Sequence, residues 1–289
     1  MKNIINSPIT KITFRNTSFF IKRDDLLDDD FNGNKARKFY YYLQNEFPNI
    51  TTLISHGSNQ SNAMYSLSVL AKLKKWDFSY YVDHIPSFLK QTPNGNYKYA
   101  LQNGMNIIED ESFNKSDLII KEDQLFIDEG GAVQEAKFGI KILANEINTY
   151  IKKNNLKDIK VFLPSGTGTT SLFLAEYLDV EVLTCACVGS DEYLELQFLQ
   201  LQKNKDLHPR ILKKEKKFHF GKLYKSSWDI WSELKEKTNI EFDLLYDPIA
   251  WQTLFFNQDN IDINNILYIH QGGLKGNITM KQRYERKYK

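Results

Sequence analysis

The sequence KVFLPSGTGTTSLFLAEYL, residues 160–178, carries the clearest signal of the fold class. Its first four residues form an apolar run that predicts a buried strand, and SLFLAEYL at its end has a helical pattern. The intervening PSGTGTT is rich in small and polar residues, which predicts a turn. A strand that passes through such a turn directly into a helix is the first half of a β-α-β unit, and such units build parallel sheets.

The same succession of apolar run, polar cluster and helical pattern recurs along the chain. It predicts an α/β fold of open, twisted, mostly parallel sheets flanked by helices. Polar clusters follow predicted strands at residues 55–62, 164–171 and 270–277. Because ligands of open α/β sheets bind beyond the carboxyl ends of the strands, these clusters predict a site for a small polar or anionic ligand. Further strands are predicted at 51–55, 77–82, 104–110, 182–188, 243–246 and 266–269.

Composition excludes several classes of protein. The chain has 289 residues, 42% of them hydrophobic, which excludes a chain that is intrinsically disordered over its whole length. A formal net charge of +2 gives no broad field for nucleic acid or anionic lipid, so we expect neither partner. Two cysteines, Cys185 and Cys187, exclude a disulfide framework, and the five histidines show no metal-ligand spacing. Without an apolar run of 18 residues or a signal-peptide core, we expect a cytoplasmic protein.

The glycine-rich turn that follows the predicted strand at residues 160–163 predicts an anion site. Glycines allow backbone N–H groups to converge on one point, and the start of the following helix adds positive potential. The turn lacks the Gly-Lys-Ser/Thr ending of a nucleotide triphosphatase loop. From Gly166 to Ser171 it reads G-x-G-x-x-S, close to a dinucleotide fingerprint. Phosphate binding and a purely structural turn both remain open for this segment.

A lysine lies at a second predicted helix start. Asn34 is a plausible N-cap, which puts Lys35 in the first turn of the helix. There it opposes the helix dipole, and the neighbouring cations Arg37 and Lys38 also lower its pKa. A lowered pKa suits a nucleophilic amine, whereas a solvated basic face is the alternative.

A third polar cluster, Gly57 to Asn62 with the sequence GSNQSN, precedes another helix pattern. Backbone N–H groups and side-chain amides converge there, which predicts a carboxylate site or an elaborate helix cap. The basic run KQRYERKYK, residues 281–289, predicts solvated surface or a frayed terminus.

These pieces, in this order, resemble one family. They are similar to the pyridoxal-phosphate enzymes that include 1-aminocyclopropane-1-carboxylate (ACC) deaminase and D-cysteine desulfhydrase, which have the tryptophan-synthase-β-like fold. The strongest match is IKRDDLL…GNKARKFYYYL, in residues 21–43, to the family's KRDDL…GGNKxRKLEYL. Supporting matches are GSNQSN, EGGA at 129–132, SGTGTT at 165–170, the Asp247–Pro248 dipeptide and HQGG at 270–273.

The resemblance implies a cofactor, a substrate and roles for individual residues. Pyridoxal 5'-phosphate would form a Schiff base with Lys35, which also moves the substrate proton. The substrate would be a small amino acid, and the protein would be a homodimer. A large domain of residues 1–47 plus 129–289 would carry an inserted small domain, residues 48–128. The implied cofactor contacts are Lys38, Asn62, Ser165, Gly166, Thr167, Gly168, Thr169, Thr170 and Gln271, and the implied substrate contacts are Gln60, Ser61, Asn62 and Trp251, with Ser61 also catalytic.

Three departures from the family motifs leave the reaction open. The family's D-P-V-Y tyrosine is Ala250 here, the next position is Trp251, and the family's H-T-G-G threonine is Gln271. Trp251 would stack on the substrate or fill space. The first hypothesis is an enzyme that deaminates a small amino acid or catalyses a β-elimination. The alternatives are a catalytically altered homologue with a binding or regulatory role, and a dinucleotide-binding oxidoreductase.

Overall fold

The computed structural model describes residues 4–288 and contains two sheets. Short apolar runs form the strands, and the polar clusters that follow them carry the chain into helices, as the alternation predicts. The strands are β1 Ile9–Phe14, β2 Thr17–Arg23, β3 Thr52–His56, β4 Asp77–Val82, β5 Met105–Glu109, β6 Gln124–Phe126, β7 Lys160–Ser165, β8 Val182–Ala186, β9 Arg210–Ile211 and β10 Ile266–His270.

Ten α-helices cover the sheets within the described residues, and none of them is long and apolar enough to span a membrane. They are α1 Gly33–Gln44, α2 Asn62–Lys74, α3 Ser87–Gln91, α4 Gly95–Gln102, α5 Ala136–Lys153, α6 Thr169–Tyr177, α7 Asp191–Leu201, α8 Lys225–Thr238, α9 Asp247–Phe256 and α10 Asn277–Tyr288.

The larger sheet has the strand order β1-β2-β10-β7-β8-β9. Its pairs are parallel except for β1 and β2, an antiparallel hairpin that the alternation did not predict. The hairpin turns through Arg15 and Asn16, both with positive φ. Such φ values match the twist of a tight hairpin, but the sequence there lacks the usual Asn-Gly or Asp-Gly signal.

The smaller sheet is entirely parallel, in the order β5-β4-β3-β6, and all its strands lie within residues 52–126. The open, mostly parallel α/β architecture predicted from the sequence is therefore confirmed. The domain boundaries after residues 47 and 128 remain a prediction.

Residues 243–246 were predicted as a strand, and this prediction is wrong. The segment bends into the start of α9, because one oxygen of the Asp243 carboxylate, Oδ1, accepts hydrogen bonds from the backbone N–H groups of Leu245 and Tyr246 at 2.8 and 2.6 Å. An aspartate that satisfies the backbone locally in this way competes with strand pairing.

Helix α1, which carries Lys35, is fixed from both sides. Its apolar face packs with the core of the smaller sheet and α2, and it also contacts α5 of the larger sheet. The Arg37 guanidinium, 1% exposed, pairs with Asp24 at 2.9 Å and with Glu146 of α5 at 2.7 Å. Because breaking a buried pair leaves an uncompensated charge, this network holds the helix in one orientation.

Candidate active site

One cavity of about 980 Å³ lies beyond the carboxyl ends of β7 and β10, between the two sheets. This is the place where open α/β sheets bind ligands. All but one of the predicted site residues line it. They are Lys35, Lys38, Gln60, Ser61, Asn62, Ser165, Gly166, Thr167, Gly168, Thr169, Thr170 and Gln271.

Two lysine amines meet at one backbone oxygen of the cavity wall. The Nζ atoms of Lys35 and Lys38 each donate a hydrogen bond to the Gly130 carbonyl, both at 2.9 Å. Lys38 also donates to Thr167 Oγ1 at 3.2 Å, which ties the lysine helix to the glycine-rich turn. The turn and Lys35, which are 130 residues apart in the sequence, therefore belong to one site.

Burial sets the charge of these amines. It lowers the pKa of Lys35 to about 8, although the Glu129 carboxylate partly opposes the shift. The pKa of Lys38 is also lowered well below its usual value, first by burial and then by the neighbouring charge of Lys35. An amine with a pKa near 8 is partly neutral at physiological pH, which a nucleophile requires.

The glycine-rich turn, residues 165–170, forms an anion cradle at the start of α6. Gly168 has φ +72, and a Cβ there would come within 2.4 Å of Phe198, so the turn needs glycine. The Thr170 hydroxyl is buried and has no hydrogen-bond partner among the described residues. An unpartnered buried hydroxyl costs stability unless a ligand satisfies it. Its oxygen, the helix start and the Lys38 amine, whose protonated form a bound anion would favour, fit a phosphate group.

Ser165 has a different role from the rest of this turn. Its hydroxyl lies 2.8 Å from the Ser171 hydroxyl and 2.7 Å from that of Thr184, all in the protein interior. The serine side chain therefore braces the turn from behind, although the residue also lines the cavity.

Another part of the cavity wall is the GSNQSN segment, of which residues 58–62 line the cavity. Ser61 caps α2, since its hydroxyl accepts from the N–H groups of Ala63 and Met64 at 3.1 and 3.4 Å. The Asn62 side-chain oxygen accepts from Asn96 at 2.7 Å. The segment is thus both a helix cap and part of the cavity wall. The two interpretations of its sequence, a carboxylate site and an elaborate helix cap, are therefore compatible.

Gln271 closes the base of the cavity. Its Nε2 donates to the Pro164 carbonyl at 2.7 Å, which leaves the side-chain oxygen as its remaining acceptor. Its backbone carbonyl accepts from Asn34 at 3.0 Å, and a Cβ on Gly33 would lie 2.0 Å from that carbonyl oxygen. Close contact at Gly33 therefore fixes the start of the lysine helix against the Gln271 loop.

Trp251 does not line the cavity, which contradicts the predicted substrate contact. Its side chain is 0% exposed and stacks on Tyr268, with ring centroids 4.6 Å apart. Phe14 and Phe19 pack edge-on against it. It lies more than a turn into α9, in the core of the larger sheet, and so it fills space. Ala250 is equally buried and does not line the cavity either.

The cavity residues that were not predicted as site residues include Glu129, Asp243, Tyr246 and Asp247. Burial raises the pKa of Asp243 to about 6 and that of Asp247 well above its usual range. Burial also raises the pKa of the Tyr246 phenol, which therefore stays protonated. Tyr246 is one turn before Ala250, so the phenol missing from the family position has a counterpart nearby. The acid-rich segment that ends in the D-P dipeptide, residues 241–248, is the signal that could have identified Asp243, Tyr246 and Asp247.

Comparison with known proteins gives a structural match only. No family profile matches the sequence, and no curated protein is significantly similar to it. Among solved structures, the alignment with an ACC deaminase homologue covers 98% of this chain and 95% of the homologue's chain, with a TM-score of 0.78 and 20% identity.

Two more distant structures match over most of their length. An L-serine ammonia-lyase from Rhizomucor miehei has a TM-score of 0.64 at 14% identity and covers 98% of each chain. Cysteine synthase from Entamoeba histolytica has a TM-score of 0.65 at 12% identity, over 93% of this chain and 86% of its own. These matches establish the tryptophan-synthase-β-like fold.

Proposed function

We propose that this protein is a pyridoxal-phosphate-dependent enzyme that deaminates a small amino acid or catalyses a β-elimination on it. The observation that carries the proposal is the cavity in which a partly neutral amine, Lys35, and an anion cradle, residues 165–170, are linked through Gly130 and Lys38. One molecule with an aldehyde and a phosphate needs both features in one site.

Each end of the cofactor has suitable residues. Lys38, the Thr170 hydroxyl and the start of α6 would hold the phosphate, and Lys35 would condense with the aldehyde. Gln271, whose Nε2 is engaged by Pro164, would accept a hydrogen bond from a protonated ring nitrogen. When bound, pyridoxal phosphate supplies an electron sink for the negative charge left on the substrate Cα.

Residues of the protein would orient the substrate and transfer its protons. The Gln60 to Asn62 backbone at the start of α2 would bind the substrate carboxylate, with Ser61 beside it. Lys35 in its neutral form would take the Cα proton, because its lowered pKa matches a base at physiological pH. Tyr246 offers a protonated phenol for a leaving group.

The decisive experiment adds pyridoxal phosphate to the purified protein and records its visible absorption. The wild type should turn yellow, and Lys35→Ala should lose the band. Lys38→Met is the matched control: it keeps the Lys35 amine and should form the band at a higher cofactor concentration. An unchanged band in Lys35→Ala, or none in the wild type, would contradict the proposal.

Turnover separates the enzyme from the binding or regulatory homologue. Ala250 and Gln271, at positions where the resemblance expects a tyrosine and a threonine, are the observations that favour the homologue. Release of ammonia and a 2-oxo acid from D-cysteine, D-serine or ACC, above the rate with free cofactor, would establish catalysis. A yellow protein without turnover across a wider amino-acid panel would favour the homologue.

A further inference from the structure

The last helix, α10, forms part of the cavity mouth. Thr279, Gln282, Arg283 and Arg286 all line the cavity. Their spacing of three, four and seven residues puts them on one helical face. Of the two alternatives expected for the basic run, solvated surface fits the exposed residues of this helix, whereas a frayed terminus does not, because Tyr284 on its other side is 2% exposed and stacks on Trp228, with centroids 5.2 Å apart.

The two arginines have spare hydrogen-bonding capacity. Arg283 donates to the Gly221 carbonyl at 2.8 Å, and Arg286 donates to the Gln282 carbonyl at 3.3 Å. Within residues 4–288 neither forms an ion pair with a carboxylate. Nearby Lys275 and Lys281 do so, with Asp30 at 2.6 Å and Glu241 at 2.5 Å. The mouth therefore offers two guanidinium groups that no carboxylate of residues 4–288 pairs with, and guanidinium is well suited to bind carboxylates.

The proposed function already uses the inner cations and donors. The cofactor phosphate takes Lys38 and the glycine-rich turn, and the substrate α-carboxylate takes the start of α2. Two exposed apolar side chains, Phe88 and Phe220, also line this cavity. A cavity of about 980 Å³ is at the upper end of the roughly 300–1,000 Å³ range of ligand pockets. It leaves room for more than a cofactor and a two- or three-carbon amino acid.

We infer that the substrate is an amino acid that carries, besides the β leaving group that elimination requires, a second carboxylate at the far end of its side chain, which Arg283 and Arg286 bind at the cavity mouth. Aspartate and glutamate lack the leaving group and serve below as binding probes. The inference rests on the proposed function and narrows its substrate class to dicarboxylic amino acids.

The test compares acids with their own amides. Dissociation constants of aspartate against asparagine, and glutamate against glutamine, in both stereochemical forms, are measured by calorimetry on the cofactor-loaded protein. The wild type should bind at least one acid roughly tenfold more tightly than its amide, because charge-assisted contacts at an exposed rim are of modest strength. The double variant Arg283→Gln, Arg286→Gln should reduce that preference to less than about twofold.

Two controls separate recognition from structure. Lys287→Gln removes a cation from the same helix at a position outside the cavity lining, and it should keep the full preference. The double variant Arg283→Lys, Arg286→Lys keeps both charges and should retain most of it. Equal binding of acid and amide by the wild type, or a preference that persists in the double glutamine variant, would overturn the inference and leave the visible band intact. A missing band would instead overturn the proposed function, before any amino acid is added.

Discussion

At the inner end of the cavity, the hydroxyls of Ser165, Ser171 and Thr184 form a buried chain of hydrogen bonds, whereas at the mouth Arg283 and Arg286 extend from one exposed helical face. The inner end is fixed by backbone contacts and by packing behind it. The mouth is held by a few contacts to carbonyl groups. The inner end therefore suits a bound group that stays the same, such as a cofactor, whereas the residues of the mouth can determine which substrate binds.

The largest effect should come from the core behind the inner end. Trp251→Ala should lower the free energy of unfolding by roughly 3–5 kcal/mol, because it empties a space among tightly packed rings. Chemical denaturation measures this. Trp251→Phe should be milder and should leave substrate affinity unchanged. A selective loss of substrate affinity in a stable Trp251→Phe protein would show that Trp251 contacts the substrate after all.

The contact at Gly33 should come next. A methyl group there would clash with the Gln271 carbonyl in a backbone conformation with φ +65, so Gly33→Ala should cost roughly 3 kcal/mol of stability and weaken cofactor binding. Gly104 also has positive φ, but no atom lies within 4 Å of its Cβ position. Gly104→Ala should therefore cost only about 1 kcal/mol, from backbone strain alone. Equal losses would show that the contact does not fix the helix start.

A smaller effect is expected at the unpartnered hydroxyl. Thr170→Val should reduce affinity for pyridoxal phosphate roughly tenfold, because one charge-assisted hydrogen bond is lost. Fluorescence or absorbance titration measures the dissociation constant. Thr170→Ser keeps the hydroxyl and should bind almost normally. Normal affinity in the valine variant would remove Thr170 from the anion cradle.

Charge on Lys35 gives a pH dependence at the same end. Below pH 8 the amine is mostly protonated and cannot attack the aldehyde, so the rate of cofactor capture should rise about tenfold from pH 7 to 9. Stopped-flow absorbance follows this rate. Because Glu129 raises the pKa of Lys35, Glu129→Gln should move the rise to lower pH. A rise centred near 10 in the wild type would contradict the burial of the amine.

The smallest effect is expected at the mouth. Arg286→Gln should change the free energy of unfolding by less than about 0.5 kcal/mol, since the side chain is exposed and forms no ion pair within the described residues. Tyr284→Ala, on the buried side of the same helix, should cost roughly 3 kcal/mol by thermal or chemical denaturation. A large loss in Arg286→Gln would make the arginine structural and weaken the contrast between the two ends.

Sequence predicted the inner end better than the mouth for a physical reason. Lys35 and the glycine-rich turn carry local signals, a helix start and a strand-turn-helix, and the fold class followed from alternating patterns. Trp251 was misplaced because a residue's distance from a motif does not tell which side of a helix faces the core. The hairpin of β1 and β2 was missed because its turn, Arg15 and Asn16, lacks the usual hairpin signal. The cavity face of α10 depends on packing between distant segments, which one sequence does not reveal.

The Gly130 carbonyl has a consequence for the chemistry of both amines. One oxygen with two lone pairs serves two lysine side chains, so a change at either amine alters the environment of the other. Their titrations are therefore linked, and protons are gained and lost by the pair. Selective acylation or methylation of Lys38 should consequently change the rate at which amine reagents label Lys35, although no covalent bond joins the two side chains.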